Sequence, residues 1–435
     1  MLALTFCQLH QQALLCKSFP TGAIQALAFC LNCVIGGMTS FDRPSIRLRP
    51  NAPVQKFRHG FPWVYENELV MDRRSRKIAP GSLAVLESAE RQPLALVTVN
   101  PASKITARLL AHDPDAAIDD HWLRTRLQAA LDLRTRLYDA PFYRLVHAEA
   151  DGFPGVIIDR FGDVAVIQPN AAWAEQRIAA ITQVLVAVTG VTCVLKNASG
   201  RARSLEGLDS ENEVLFGQPP QKPVPVRMNG AVYLADLNGG QKTGLFYDQR
   251  PNHAFAARVA QGARVLDVFS HVGGFALAAL AGGAASALAV DGSAVALELA
   301  QQGAEESGFA DRFETRQGDA FEVLSALNES NARFDLVICD PPAFAASKPA
   351  LEAGLRAYEK LAKLAAPLVE KGGYLGLCSC SHAADLARFR AASIRGIGRA
   401  GRAGALIHTG FAGPDHPMHP QLAESTYLKA LFFRL

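Results

Sequence analysis

From Arg264 onward, strand patterns alternate with stretches of helical pattern, and that alternation leaves few architectures open. The strand candidates are Arg264–Phe269, Ser286–Val290, Phe313–Gln317, Phe334–Cys339 and Tyr374–Cys380. Parallel strands cannot be joined by a tight turn, so each crossover needs a helix. The product is a doubly wound, mostly parallel α/β sheet. Such sheets bind ligands outside the carboxyl ends of their strands. The residues just past those ends are therefore the first candidates for chemistry.

They form a consistent set. The first strand runs into Asp267-Val268-Phe269-Ser270-His271-Val272-Gly273-Gly274-Phe275. Gly273 and Gly274, at a strand-to-helix turn, let backbone approach a ligand closely. The spacing is not the G-x-G-x-x-G of a dinucleotide fold. The second strand ends at Asp291, 24 residues past Asp267, where a carboxylate can accept from both ribose hydroxyls. After the third comes Gly318-Asp319-Ala320-Phe321, where Asp319 can accept from an adenine amino group. Each Asp alone reads as a cap or a turn residue; together, at successive strand ends, they read as a nucleoside site.

The fourth strand gives Asp340-Pro341-Pro342-Ala343-Phe344. The two prolines make a rigid exit that fixes Asp340 and nearby carbonyls against a planar substrate. The fifth ends in Leu377-Cys378-Ser379-Cys380-Ser381-His382. With the fourth and fifth strands adjacent, Cys380 is expected beside Asp340. A thiolate there can add to C6 of a pyrimidine and make C5 a carbon nucleophile. A strand cysteine is ordinarily a small buried hydrophobe, which suits Cys339. Cys378 and Cys380 share a face by alternation; Cys380, nearer the strand end, is the favoured nucleophile.

Upstream, 435 residues are too many for one ordinary core and suggest two or three domains. Net charge is only +3, but Met38–Leu110 holds 12 Lys/Arg against 6 Asp/Glu, a balance that suits a phosphate-rich partner. This stretch reads as short strands and turns, with Phe57, Phe61, Trp63 and Tyr65 interleaved with Lys56, Arg58 and His59. Such residues can stack on bases and pair with phosphates, although Trp63 and Tyr65 read more readily as core. A helix is expected at Asp120–Tyr138, with Arg124, Arg126, Arg134 and Arg136 largely off its apolar stripe. Strands around Arg144–Ala148, Gly155–Ile158 and Val164–Gln168, a helix at Ala172–Thr189 and a strand at Thr192–Lys196 make a compact α+β unit. Pro219, Pro220, Pro223 and Pro225 then mark a stiff linker, followed by a hairpin at Val226–Leu237 turning at Asn229-Gly230.

The first 37 residues are apolar, Cys-rich and unpatterned; Met38 is the expected working start, with the leader disordered or spurious. The apolar stretch Ala23–Gly37 is too short to span a bilayer, and no membrane association is expected. Cys30-x-x-Cys33 lacks a second ligand pair, so no metal site is expected. The remaining cysteines are not spaced as a disulfide framework and read as reduced, cytoplasmic thiols.

These motifs carry a resemblance. From about Arg43 to Leu435 the chain resembles the bacterial large-subunit ribosomal RNA cytosine-5 methyltransferases of the RlmI type. The segments that carry it are His59-Gly60-Phe61-Pro62-Trp63-Val64, Asn100-Pro101-Ala102-Ser103, Asp151-Gly152-Phe153-Pro154-Gly155 and Ile158-Asp159-Arg160-Phe161-Gly162. In the catalytic half they are Lys242-Thr243-Gly244 with Asp248-Gln249-Arg250, the Phe269–Phe275 turn, Asp340-Pro341-Pro342 with Phe344, Ser379-Cys380-Ser381, His416-Pro417 and Tyr427-Leu428-Lys429. The resemblance implies a PUA-like RNA-binding domain at residues 38–115, an α+β middle domain at 116–217, a linker at 218–226 and a class I, Rossmann-like methyltransferase domain at 227–435. It implies S-adenosylmethionine as methyl donor and 23S ribosomal RNA as partner, with a homodimer open. Cys380 would be the nucleophile, and Asp340 would contact the target base. Phe269, Ser270, Gly273, Gly274, Asp291, Asp319, Asp340 and Pro341 would line the cofactor site, which Lys242, Thr243 and Gln249 would help to close. Ala343, His382 and His271-Val272 depart from the family pattern. The competing readings are a methyltransferase acting on an exocyclic base amine, which needs no thiol, and a non-catalytic RNA-binding ribosome-assembly factor.

Overall fold

The computed structural model describes residues 43–238 and 244–435. Alternating short strands build the first sheet, from β1 (Ser45–Arg47), β2 (Trp63–Tyr65), β3 (Ser82–Glu87), β4 (Pro93–Val99) and β5 (Ile105–Ala111), in the order β1-β3-β4-β5-β2. Ile46, Val64, Leu86 and Val97 of these strands, with Leu48 just past β1 and Phe57 from the short helix Val54–Arg58, belong to a separate small core. Gly81 supplies the left-handed turn (φ +84°) that admits β3.

Asp119 caps the next helix, Asp120–Leu137, by accepting from the Trp122 N–H at 2.9 Å. The helix lies on a second sheet of β6 (Phe142–His147), β7 (Val156–Phe161), β8 (Val164–Pro169), β9 (Cys193–Lys196) and β10 (Glu213–Phe216). The single helix expected over residues 172–189 is two, Ala172–Gln176 and Ile178–Thr189, broken at Arg177. Trp173 is fully buried and donates to the Pro154 carbonyl at 2.8 Å, which pins the first turn on its own. Arg134, expected off the apolar stripe, is fully buried.

The hairpin pairs β11 (Val224–Met228) with β12 (Ala231–Ala235) through Asn229 and Gly230, both left-handed (φ +51° and +77°). It begins inside the Pro-rich stretch; Pro225 is tolerated because β11 has only one partner strand.

The third sheet follows the α/β alternation. Its strands are β13 (Arg264–Val268), β14 (Ser286–Asp291), β15 (Phe313–Gln317), β16 (Phe334–Cys339), β17 (Val369–Ser379), β18 (Ala405–Gly410) and β19 (Lys429–Arg434), in the order β15-β14-β13-β16-β17-β19-β18. β13 through β17 run parallel, and β19 is antiparallel between β17 and β18. β17 starts at Val369 rather than Tyr374, because the pairing slips across a bulge containing the left-handed Gly372. Apolar side chains cover both faces of the sheet. One of these cores also takes in Phe161, Val166, Cys193 and Leu195 of the second sheet, so the middle and C-terminal units share buried surface. Among the described residues no helix is long and apolar enough to cross a membrane.

Candidate active site

The turn after β13 is strained. Phe269, His271 and Gly273 are all left-handed (φ +65°, +51° and +81°), and two of the three carry side chains. Asp291 at the end of β14 holds the turn: its carboxylate accepts from the His271 N–H at 2.9 Å and the Ser293 N–H at 2.8 Å. The Ser270 N–H donates to the Val290 carbonyl at 3.0 Å. Behind the turn, Asp267 is fully buried and accepts from the Ala276 N–H at 2.9 Å. Burial pushes its carboxyl up to about 7. Asp267 Oδ1 and Ser270 Oγ are buried without a hydrogen-bond partner among the described residues. Buried polar atoms are seldom left so, and here they lie under the crevice in which a sheet of this topology binds ligand.

The two glycines have different reasons. Gly273 is left-handed, whereas a Cβ on Gly274 would stand 2.8 Å from Nε2 of buried His253, so packing alone demands glycine there. Asp319 lies at the exit of β15 and caps the helix Ala320–Glu329, with Oδ1 accepting from the Phe321 and Glu322 N–H groups at 2.9 and 3.1 Å. Phe344 packs on Phe269, Phe321 and Tyr358, tying together the loops after β13, β15 and β16.

Asp340 Oδ2 accepts from Gln249 Nε2 at 2.9 Å, and Gln249 Oε1 accepts from Asn252 at 2.7 Å. Gln249 is thus fixed at both ends of its amide, with Pro341 buried next to Asp340. Strand register differs from the expected neighbourhood. Cys339 pairs with Leu377, which sets Asp340 level with Cys378 rather than Cys380. Cys378 is buried in the core, and burial first, then the Asp340 charge, pushes its thiol well up. Cys380 lies one residue past the end of β17 and is half-buried.

The turn carrying Cys380 is held from three sides. The Tyr358 phenol accepts from Ser379 Oγ at 2.9 Å and shares a 2.7 Å hydrogen bond with Ser381 Oγ. The Ala345 N–H donates to Ser381 Oγ at 2.9 Å, joining this turn to the one after Asp340. Lys429 Nζ donates to the carbonyls of Ser381 and Ala384 at 2.7 and 2.8 Å. Tyr427 donates to Asp248 Oδ2 at 2.6 Å, and the His382 ring lies against Tyr427. Lys242 and Thr243 lie outside the described residues, as do the leader and Cys30-x-x-Cys33. Among the described residues no group of three or more metal-ligating side chains gathers.

Sequence reasoning singled out neither Tyr358 nor Lys429 for a role. Tyr358 keeps the apolar spacing of its helix and reads as core. Lys429 carried a signal: it opens the apolar run Ala430–Phe433, where a charge needs a reason.

Comparison with known proteins bears on this geometry. Residues 46–112 match the PUA-like domain family, and residues 172–434 match the S-adenosylmethionine-dependent methyltransferase family. The class of protein is therefore a PUA-like domain joined to a methyltransferase of class I fold. A ribosomal RNA large subunit methyltransferase of Deinococcus radiodurans is 35% identical over 405 residues, 90% of this chain and 98% of that one. Ribosomal RNA large subunit methyltransferase I of Escherichia coli is 32% identical, covering 86% of this chain and 95% of the relative. Among solved structures, a candidate methyltransferase from Streptococcus mutans superimposes with a TM-score of 0.76 at 19% identity, over 90% of this chain and all of its own. Another, at TM-score 0.76 and 20% identity, is complexed with S-adenosylhomocysteine. The chain belongs to the family of S-adenosylmethionine-dependent ribosomal RNA large subunit methyltransferases. The strand-end crevice fits the cofactor: it offers the Asp291 carboxylate, the strained Phe269–Gly273 backbone and the unsatisfied Ser270 hydroxyl.

Proposed function

We propose that this protein methylates C5 of a cytosine in large-subunit ribosomal RNA, with Cys380 as covalent nucleophile. The observation that carries the reading is the placement of Cys380: alone among the described cysteines it leaves the core, at a strand end whose turn is clamped by Tyr358 and Lys429. The ribosomal RNA substrate is taken from the relatives' names, and the exposed Arg73, Arg74, Arg76 and Lys77 of the PUA-like domain suit a phosphate backbone.

In this reading the Cys380 thiolate forms a bond to C6 of the ring, and the displaced electron pair makes C5 nucleophilic. S-adenosylmethionine supplies an electrophilic methyl group on its sulfonium. Loss of the C5 proton to a base then expels the thiolate and restores the ring. Asp340, held by Gln249, faces the polar edge of the base, and Phe344 walls the crevice. The target base must leave its stack to reach a strand-end thiol, so opened RNA reacts better than a closed duplex.

Fluorine at C5 leaves no proton to remove. Wild-type protein should therefore stay attached to 5-fluorocytidine RNA through denaturing electrophoresis. Methyl transfer to unmodified RNA without any trapped adduct would redirect the assignment to an exocyclic amine.

Asp291 is assigned to the cofactor ribose. Calorimetry on Asp291→Ala should show adenosylmethionine binding weakened by about 1–3 kcal/mol, the range for losing a charged acceptor. Asp291→Asn keeps one acceptor oxygen and should lose less. Unchanged affinity in both would leave Asp291 with only its role of holding the Phe269–Gly273 turn.

A further inference from the structure

We propose that Asn252 is a positioning residue for the target base: it sets which end of the Gln249 amide faces Asp340, and so presents that carboxylate with a donor. This rests on Asp340 facing the base, and not on which atom of the base is methylated. Gln249 caps the helix Arg250–Arg258, and Asn252 lies in its first turn, three residues on, which brings the two side chains together. Gln249 is 4% exposed and Asn252 is fully buried.

The two ends of a side-chain amide have the same shape and opposite hydrogen-bonding character, so its partners decide which way it points. Here the decision starts at a main-chain carbonyl. The Phe411 carbonyl can only accept, and Asn252 Nδ2 donates to it at 3.2 Å. The second proton of Nδ2 goes to Gln249 Oε1 at 2.7 Å. With its oxygen so engaged, Gln249 turns Nε2 to Asp340 Oδ2 at 2.9 Å. The reverse orientation would set oxygen against the Asp340 carboxylate and nitrogen against Asn252 Nδ2, two repulsive contacts in place of two hydrogen bonds.

Holding Asn252 this way has a cost. Its Oδ1 is buried with no hydrogen-bond partner among the described residues. That oxygen lies against Gly410, the last residue of β18, where a Cβ would stand 1.8 Å from it. Gly410 does not have a left-handed backbone, so it is the close approach of Asn252 that requires glycine. An unpaired oxygen and a missing side chain are accepted, and both Asn252 protons stay on their acceptors. The loop that supplies the Phe411 carbonyl is itself tied down: the Gly413 N–H donates to the Asp248 carbonyl at 3.0 Å, and Asp415 accepts from the Arg144 N–H.

The test is a double-mutant cycle in the full-length protein, read as the single-turnover rate of methyl transfer from S-adenosylmethionine to unmodified large-subunit ribosomal RNA. Asn252→Leu is close in size and removes both donors; it should slow transfer about ten- to hundredfold, as should Gln249→Leu. The double variant should be no slower than Gln249→Leu alone, because without an amide at 249 nothing is left to orient. Asn252→Asp adds a signature that packing does not produce. Ionised, it offers Gln249 only acceptors; protonated, it regains one donor. Its rate relative to wild type should therefore rise as pH falls, and that of Asn252→Leu should not. Losses that multiply in the double variant, or a wild-type rate in Asn252→Leu, overturn the proposal. Should the leucine variant not fold, a pH-independent ratio for Asn252→Asp overturns it equally. A wild-type rate in Asp340→Asn would instead remove Asp340 from the base, and with it the reading on which the relay rests.

Discussion

On the proposed cytosine-5 mechanism, Cys380→Ala should lose methyl transfer by about ten-thousand-fold or more, roughly 5.4 kcal/mol of barrier, because that mechanism activates C5 only through the thiolate. The same variant should form no adduct with 5-fluorocytidine RNA and should still bind adenosylmethionine, since the Asp291 side of the crevice is untouched. Cys378→Ala is the matched control. Its sulfur is buried in the core beside the sheet, with burial keeping the thiol protonated. Removing it should cost a little stability and leave both adduct formation and turnover in place. Register makes the comparison informative, because Cys378 is the cysteine level with Asp340. Reversed results, with Cys378→Ala dead and Cys380→Ala active, would move the nucleophile one alternation inward. Full activity in both would sink the cytosine-5 mechanism and favour methylation of an exocyclic amine.

Arg134→Ala should destabilise the protein by about 3–5 kcal/mol, the cost of leaving half of a buried ion pair behind. Arg134 is fully buried and grips Asp151 with two parallel bonds of 2.6 and 2.7 Å. It also donates to the Asp415 carbonyl at 2.9 Å, which reaches across from the middle unit into the loop before β19. Asp415 in turn accepts from the Arg144 N–H at 3.0 Å and contacts His416 at 3.0 Å, while Arg144 holds Asp159. One guanidinium thus anchors the seam between two units. Denaturant unfolding at pH 7 should report the loss; Arg134→Lys should recover part of it, since an ammonium cannot form the planar fork. A change below about 1 kcal/mol would place the pair in the range of solvated surface bridges.

The same seam should be acid-labile, and the sign can be worked out. Burial pushes the Asp415 carboxyl up, but His416 and the Arg144 N–H overcome it and hold it down to about 2. A carboxyl depressed on folding lends stability above its ordinary range, and that stability is lost as pH falls from about 4 toward 2. His147 adds to it: burial holds its imidazole down to about 2, so below about pH 6.5 protons favour the unfolded chain.

The PUA-like domain is attached through a second polar seam. Arg108 bridges Glu149 and Glu206 at 2.9 and 3.0 Å, and Trp63 donates to Glu149 at 2.8 Å. Trp63 therefore serves the contact between units through its indole N–H. From sequence it read as a base-stacking or core residue, because nothing local marks which unit will cover a side chain. Arg134 was read as lying off its helix's apolar stripe for the same reason. Its partners Asp151 and Asp415 are 17 and 281 residues away. Asp319, by contrast, was placed correctly at a strand end, and its capping bonds are local enough to be read from Gly318-Asp319-Ala320-Phe321.

The inner parallel strands β13, β14 and β16 were legible because sheet and helices bury most of both faces, so each is a short, largely apolar run between turn signals. The edge strand β15, exposed after Phe313, was legible only from its place in the alternation. β18 and β19 escaped notice: β18 ends the sheet, carries exposed Leu406 and Ile407, and shows no periodicity that separates it from loop. By itself the sequence determined the α/β class, the strand ends, and the short list of groups those ends present, since each depends on composition and spacing within a few residues. Only the tertiary structure decided which cysteine leaves the core and what holds it there. Cys378 and Cys380 alternate to one face in the sequence. They part because Tyr358, Ala345 and Lys429, brought from a helix, a loop and an antiparallel strand, fasten the residues on either side of Cys380. Contacts so distant along the chain depend on packing, and they leave no periodic trace in it.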